Sequence, residues 1–460
     1  MPAHEFGHLA GAHGRFRAEG PVCLPETRST RVRSSPFAEE FALDAELGVG
    51  AATCPLSTSA SEAARTGDMD TPHPAAPART PPLFAYPFRV FFLSTALLAV
   101  LIIPAWLLVL LGGFAPQLVL PALLWHQHEM IFGFLEAAIA GFLLTAVCVW
   151  TSTDRLHGAP LAALWAVWLA GRLAMLFGGA LPAALVHGVD LAFLPLVVLD
   201  AGRRIVAAKQ HRQLVIVGVL GALWLLDVGF HATQRPAFSR AAMLAVVALM
   251  LVVGGRITPA FSSNWLRGTG GDAAAVRIVP WLETVAIGAT VALLPLVSFE
   301  APPALTAPIA AVAAAASAAR LYLWRGWLVR REPLLWILHV ALAWIPVALV
   351  LLAAAAVGAV APTAWLHAAG AGAAGALVLG VMSRVALGHT GRPLHLPPGM
   401  TLAFAAVLGA GALRVATALA WMPQTSGLLA SGVLWVLAYG TFVTRYAPML
   451  AAPRPDGRSG

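Results

Sequence analysis

From Phe88 onward the chain returns, again and again, to apolar stretches long enough to cross a bilayer core of about 30 Å as helix at about 1.5 Å per residue. Twelve such spans are predicted, near 88–111, 126–150, 160–178, 183–201, 213–231, 240–256, 281–298, 304–324, 333–357, 363–386, 400–421 and 428–447. Hydrophobic residues make up 59% of the 460 residues, charged ones 11%, and mean hydropathy is +0.79. A soluble domain carries about 25% charged residues, so a soluble enzyme, a coiled coil and general disorder are excluded. The expected fold class is an all-α polytopic membrane protein with twelve transmembrane helices.

The basic residues test that count independently. Loops after spans 2, 4, 6, 8 and 10 carry arginines such as Arg155, Arg203, Arg204, Arg267, Arg325 and Arg392, and the C-terminal tail adds Arg454 and Arg458. Loops after spans 1, 3, 7, 9 and 11 carry no Lys or Arg; only the loop after span 5 breaks the pattern, with Arg235 and Arg240. Positive loops face the cytoplasm, so both termini are expected there, in a bacterial inner membrane. Residues 1–82 hold 7 Arg and 10 acids, a net of −3, and residues 83–460 hold the remaining 22 Lys+Arg and 11 acids, a net of +11. The positive excess therefore belongs to the membrane part, the bilayer is the expected partner, and a nucleic-acid partner is not expected.

Residues 1–82 are rich in Pro, Ser, Ala and Arg, lack an apolar run, and are predicted to be a disordered leader. Met69 offers an alternative start. His4, His8 and His13 read as solvated disorder rather than a metal site, and Cys23, Cys54 and Cys148 form no CxxC pair. Residues 83–450 form the membrane domain and 451–460 a disordered tail. His187 precedes Arg204 by 17 residues, as His367 precedes Arg384, which suggests two six-helix halves.

Ionisable groups at membrane depth are costly and mark function. Given the helix directions, His126, His128, Glu129, Glu136, His187, Asp190, Asp227, His231 and His367 gather toward one side of the bilayer, with Arg172 and Arg414 in the same half. The opposite side holds fewer: His339, Glu283, His389 and His395. His126, Glu129, Gly133 and Glu136 form one helical stripe. His128 lies about 200° round from His126 on an ideal helix, so the two cannot serve one ligand site from such a helix. His187 shares a face with Asp190, and Asp227 with His231. A carboxylate beside an imidazole is how metal-binding histidines are oriented, and is equally an ordinary hydrogen-bonded pair. Imidazole suits haem iron and copper, and Arg172 and Arg414 would match haem propionates. A proton or substrate path through a transporter is the rival reading. Gly370, Gly372, Gly375 and Gly380 are expected to permit close helix packing, Gly388–Pro393 to be a capping turn, and Cys148 to be a small buried hydrophobe.

Particular stretches carry a family likeness. PLFAYPFRVFFL, WHQHEMIFGFLEAAIAGFLLTAV, LAGRLAMLFGG, GGRITPAFSSNWLR and WLHAAGAGAAGALVLGVMSRVALGHTGRPL follow one another between about Pro82 and Pro448. Together they resemble the NnrS family of bacterial inner-membrane proteins. The resemblance implies a twelve-helix protein containing haem and copper, linked to denitrification and nitric oxide tolerance, with nitric oxide as a ligand. It places motif residues at His126, His128, Glu129, Arg172, His367, Arg384 and His389, and less firmly at His187, His231 and His339. The expected cofactor-binding set is His126, His128, His187, His231, His367, Arg172 and Arg414; the expected metal set is His126, His128, His367 and Glu129. Glu136, Asp190, Asp227, Arg384 and His389 complete the candidate residues. The resemblance leads one to expect a Pro-Asn-Trp ending to the second span, where this chain has Cys148-Val149-Trp150. No complete catalytic constellation is visible, and the adjacent histidines of nitric-oxide-reducing haem–copper subunits are missing. Besides the transporter, an accessory subunit of a respiratory reductase is a further reading.

Overall fold

A computed structural model describes residues 80–114 and 116–457. The expected leader up to residue 79, the alternative start at Met69, His4, His8, His13, Cys23, Cys54 and the last three residues of the tail lie outside the described residues. Twelve helices are long and apolar enough to cross a membrane: α1 Pro87–Leu110, α2 Ala122–Thr151, α3 Gly158–Ala180, α4 Ala183–Ala207, α5 His211–Thr233, α6 Pro236–Gly268, α7 Pro280–Ser298, α8 Pro303–Leu323, α9 Pro333–Ala356, α10 Pro362–His389, α11 Met400–Ala418 and α12 Gln424–Ala451. No strand occurs among the described residues. Proline opens α1, α6, α7, α8, α9 and α10. Its missing N–H is harmless there, because the first turn has no intrahelical acceptor to lose.

The count agrees with the hydropathy reading, and the ends differ where polar residues continue a helix. The sixth span extends well past residue 256, so α6 runs for 33 residues and includes Arg256 and Arg267. Arg256 is tied to Gln213 at 2.5 Å. Arg235, which broke the charge alternation, pairs with Glu300 at 2.7 Å, so that loop is partly neutralised.

Helices α2 and α6 are the centre of the bundle: 83% of each apolar window is buried, against 28% in α4 and α7. Ser239 of α6 donates to Gln127 Oε1 of α2 at 2.8 Å and fixes their register at the end that carries the titratable residues. Two helices contain π-helical segments: Glu129–Leu135 in α2 and Ala368–Ala374 in α10. Each directly follows a histidine-bearing first section, and such bulges recur at functional sites. Aromatic donors meet carbonyls at both. Trp168 Nε1–H donates to Gly133 O at 3.1 Å, and the Tyr439 hydroxyl donates to Gly375 O at 2.8 Å. The α10 glycines serve packing: a Cβ on Gly411 would lie 2.8 Å from Gly372 Cα, and one on Gly372 would lie 2.6 Å from the Trp344 ring. The bulge thus links α2 with α10, whereas α4 and α10, matched by the histidine–arginine spacing, differ in burial, 28% against 67%.

Candidate functional site

Antiparallel alternation brings the starts of α2, α4, α6 and α10 to the same end of the bundle as the ends of α3, α5 and α11. At that end the histidines of the His126-Gln127-His128 sequence face two different places, as the angle between them requires.

His128 faces a buried polar cluster built from α2, α3, α4 and α5. Its Nε2 lies 2.9 Å from Asp190 Oδ2 and 3.5 Å from Asp227 Oδ1. His231 Nε2 lies 3.0 Å from Asp190 Oδ2 and 3.6 Å from Asp227 Oδ1. Ligand atoms of His128, Asp190, Asp227 and His231 all fall within 4.8 Å of one another, and all four residues are buried. A tetrahedral ion with bonds of about 2.0–2.1 Å sets its ligand atoms about 3.3 Å apart, and the four measured separations straddle that value. His128 Nε2 and Asp227 Oδ1 make no directed hydrogen bond despite their proximity to opposite partners. His231 Nε2 is hydrogen-bonded to Asp190 Oδ2, and an ion at this point would take the place of the proton they share.

The surroundings orient these donors. His128 Nδ1–H donates to Glu129 Oε1 at 3.2 Å, which leaves Nε2 as the lone pair facing the cluster. Arg172 from α3 donates through Nη1 to Glu129 at 2.8 Å and through Nη2 to Asp190 Oδ1. One guanidinium therefore fixes both carboxylates and turns Asp190 Oδ2 toward the histidines. Local sequence makes room for it: a Cβ on Gly133 would lie 2.6 Å from Arg172 Nη1, and a Cβ on Gly171 would lie 3.1 Å from Asp190 Oδ1. The His187 ring stands 4.4 Å from that of His231, with its Nε2 buried and without a hydrogen bond among the described residues. Glu136, one helical turn beyond the π segment's midpoint, is buried, and its Oε1 has no partner among the described residues. Four carboxylates (Glu129, Glu136, Asp190, Asp227) face one guanidinium. In so dry a place that imbalance calls for cations or protons.

His126 turns the other way, into a cavity of about 650 Å³ between α1, α2, α6, α10, α11 and α12. Binding cavities for small molecules and cofactors fall at about 300–1,000 Å³ and have mostly apolar walls. Trp106, Met130, Met243, Leu366 and Trp435 supply such walls here. The polar side chains that reach it include His126, His367 and Arg414. The His126 ring stacks on Trp106 with centroids 4.5 Å apart and planes 7° apart, and its buried Nδ1 makes no hydrogen bond. His367 Nδ1–H donates to Thr363 O at 2.6 Å. Arg414 makes no hydrogen bond or ion pair among the described residues, which leaves its fork free for an anionic group.

The expected residues are thus divided. His128, His231, Asp190 and Asp227 come together; His126 and His367 meet in the cavity. The expected metal set of His126, His128, His367 and Glu129 is not gathered at one point: Glu129 sits behind His128 as its hydrogen-bond acceptor. Arg172, paired in expectation with Arg414 as a propionate partner, is occupied by Glu129 and Asp190. The remaining residues lie at the far end. Arg384 stacks 4.1 Å over Phe261, the His389 ring lies 5.6 Å from Phe88, and His339 Nε2–H donates to Ser262 at 2.9 Å. Glu283 pairs with Arg320 at 2.5 Å. Cys148 is buried and its thiol donates to Leu144 O at 3.2 Å, and α2 continues helical to Thr151. Trp106, Trp168, Gly133 and Gln127 also shape the two places. Only Gly133 showed in the sequence, as a small residue in the stripe with Glu129 and Glu136.

Fold and site together define a polytopic helical membrane protein with a buried histidine–carboxylate cluster able to hold a metal ion. The model of the NnrS protein family matches residues 82–454, and the chain belongs to that family. Membership fits a function related to nitric oxide. No curated protein matches the chain.

Proposed function

We propose that the protein holds a haem in the His126–His367 cavity and a copper ion at the His128–Asp190–Asp227–His231 cluster, and that it serves nitric oxide tolerance in denitrification-linked metabolism at a bacterial inner membrane. The observation that carries this reading is the separation of two imidazole-bearing places by a single residue of α2, each with donor chemistry suited to a different group. Mixed nitrogen and oxygen donors accept several first-row ions, and among these copper binds most tightly.

The residues fit both groups. In the cavity, His126 and His367 present imidazoles from facing helices, Arg414 is free to pair with a carboxylate, and the apolar walls exclude water. A haem supplies an iron that binds nitric oxide directly. At the cluster, Arg172 and Glu129 keep the Asp190 and His128 donors aimed inward, and Glu136 is placed to hold a proton close by. The charge alternation of the loops supports a periplasmic position for both places, where a diffusing gas arrives from outside.

The test is the visible spectrum of detergent-purified protein from haem-sufficient cells, oxidised and dithionite-reduced, with and without nitric oxide. A Soret band that shifts with the gas supports the proposal. A featureless spectrum from folded protein, with substrate-dependent flux in haem-free proteoliposomes, would replace it by the transporter. Co-purification of a stoichiometric reductase would favour the accessory subunit.

A further inference from the structure

We infer that the two cavity histidines are unequal: His367 is the fixed haem ligand, and His126 is the exchangeable one, on whose side a small diatomic gas binds. The inference rests on the haem reading above and goes beyond it by assigning a direction to the site.

The inequality lies in how each ring is held. His367 Nδ1–H is committed to Thr363 O, a main-chain carbonyl four residues earlier in the same helix, at 2.6 Å. That bond fixes the tautomer, leaves Nε2 as the lone pair, and makes the imidazole more basic. Such outer partners are worth about 10–100-fold in ligand affinity. His126 has no such partner: its Nδ1 is buried and unbonded, and its plane is set by the parallel stack on Trp106. A stack fixes a plane but permits sliding and rotation within it, so the ring can withdraw along Trp106 without breaking a hydrogen bond.

The neighbourhood supports the same direction. His126 precedes the π segment that starts at Glu129, and one turn further along the same helix Met130 lines the cavity, a flexible side chain that can give way. With a haem in the cavity, His126 would give up its place at the iron to the gas and leave as a neutral imidazole. No electron or proton need be added. Gln127, held by Ser239, and His128, held in the metal cluster, follow His126 directly.

The experiment compares His126→Ala and His367→Ala by haem content, absorption and EPR spectra, each with and without added imidazole. His126→Ala is expected to keep haem at close to the wild-type stoichiometry while its low-spin signal becomes high-spin. His367→Ala is expected to lose haem at least tenfold and to regain it with imidazole. Equal loss in both variants, or the reverse pattern, overturns the assignment. If His367→Ala does not fold, His126→Ala decides alone: retained high-spin haem supports the assignment and tenfold loss refutes it. A wild-type protein without haem would instead refute the reading on which the inference rests.

Discussion

Gly133→Ala tests the metal cluster with one methyl group. The added Cβ would sit 2.6 Å from Arg172 Nη1 and 3.0 Å from Glu129 Oε2, whereas ordinary contact begins at 3.4 Å. Nη1 must therefore recede by about 0.8 Å, a displacement that, directed away from Glu129, takes its 2.8 Å bond past hydrogen-bond range. Arg172 is buried between the walls of α2, α3 and α4, so it has nowhere to relax without releasing Asp190 as well. Overpacking of this kind costs about 1–3 kcal/mol. The disturbed orientation of His128 and Asp190 should weaken metal binding about 10–100-fold. The assay is bound metal per chain by mass spectrometry over a metal titration, with thermal unfolding in detergent alongside. Gly288→Ala, where a Cβ meets nothing within 4 Å, is the control. Metal affinity within twofold of wild type in Gly133→Ala would show that the Arg172 bridge does not organise the donors.

Other outcomes follow from the same geometry. Asp190→Asn should abolish the ion and leave Arg172 with one carboxylate partner, read as lost metal and a lowered melting temperature; unchanged metal content would exclude Asp190 as a donor. Stripping the ion with a chelator should destabilise the wild type by about 2.7 kcal/mol relative to protein at 100 times the dissociation constant, and should leave Asp190→Asn unaffected. Glu283→Gln breaks the pair between half-buried Glu283 and buried Arg320 at the far end and should cost less than the about 3–5 kcal/mol of a fully buried pair, with haem and metal content unaltered in whatever protein remains folded. Arg414→Leu should lower haem retention without changing metal content, and an effect on metal alone would contradict its place in the cavity.

The twelve helices were readable because apolar length and arginine position are two independent records of the same crossings. Their ends were less so: α6 continues through Arg256 and Arg267, since polar residues beyond an apolar span extend a helix as readily as they end it. Within the site, periodicity separated His126 from His128 and joined His187 with Asp190 and Asp227 with His231, because these are relations along one helix. What sequence spacing could not supply was which helix faces which. The fork of Arg172 matches a propionate and a carboxylate equally well, and only the packing of α3 against α2 and α4 sends it to Glu129 and Asp190. The π segments left no periodic mark, because a single wide turn shifts the phase without changing the composition of the helix. Trp106 was invisible for a similar reason: an aromatic residue in an apolar span carries no sign that it stacks on a histidine.

The central claim is that His126 and His128 serve two different centres. It is tested most directly by measuring haem, by its pyridine adduct, and non-haem metal, by mass spectrometry, on purified wild type and His128→Ala. The account predicts one bound non-haem metal ion in the wild type, its loss in His128→Ala, and haem retained in both. Haem lost together with the metal, or a wild type that binds no non-haem metal, would contradict it.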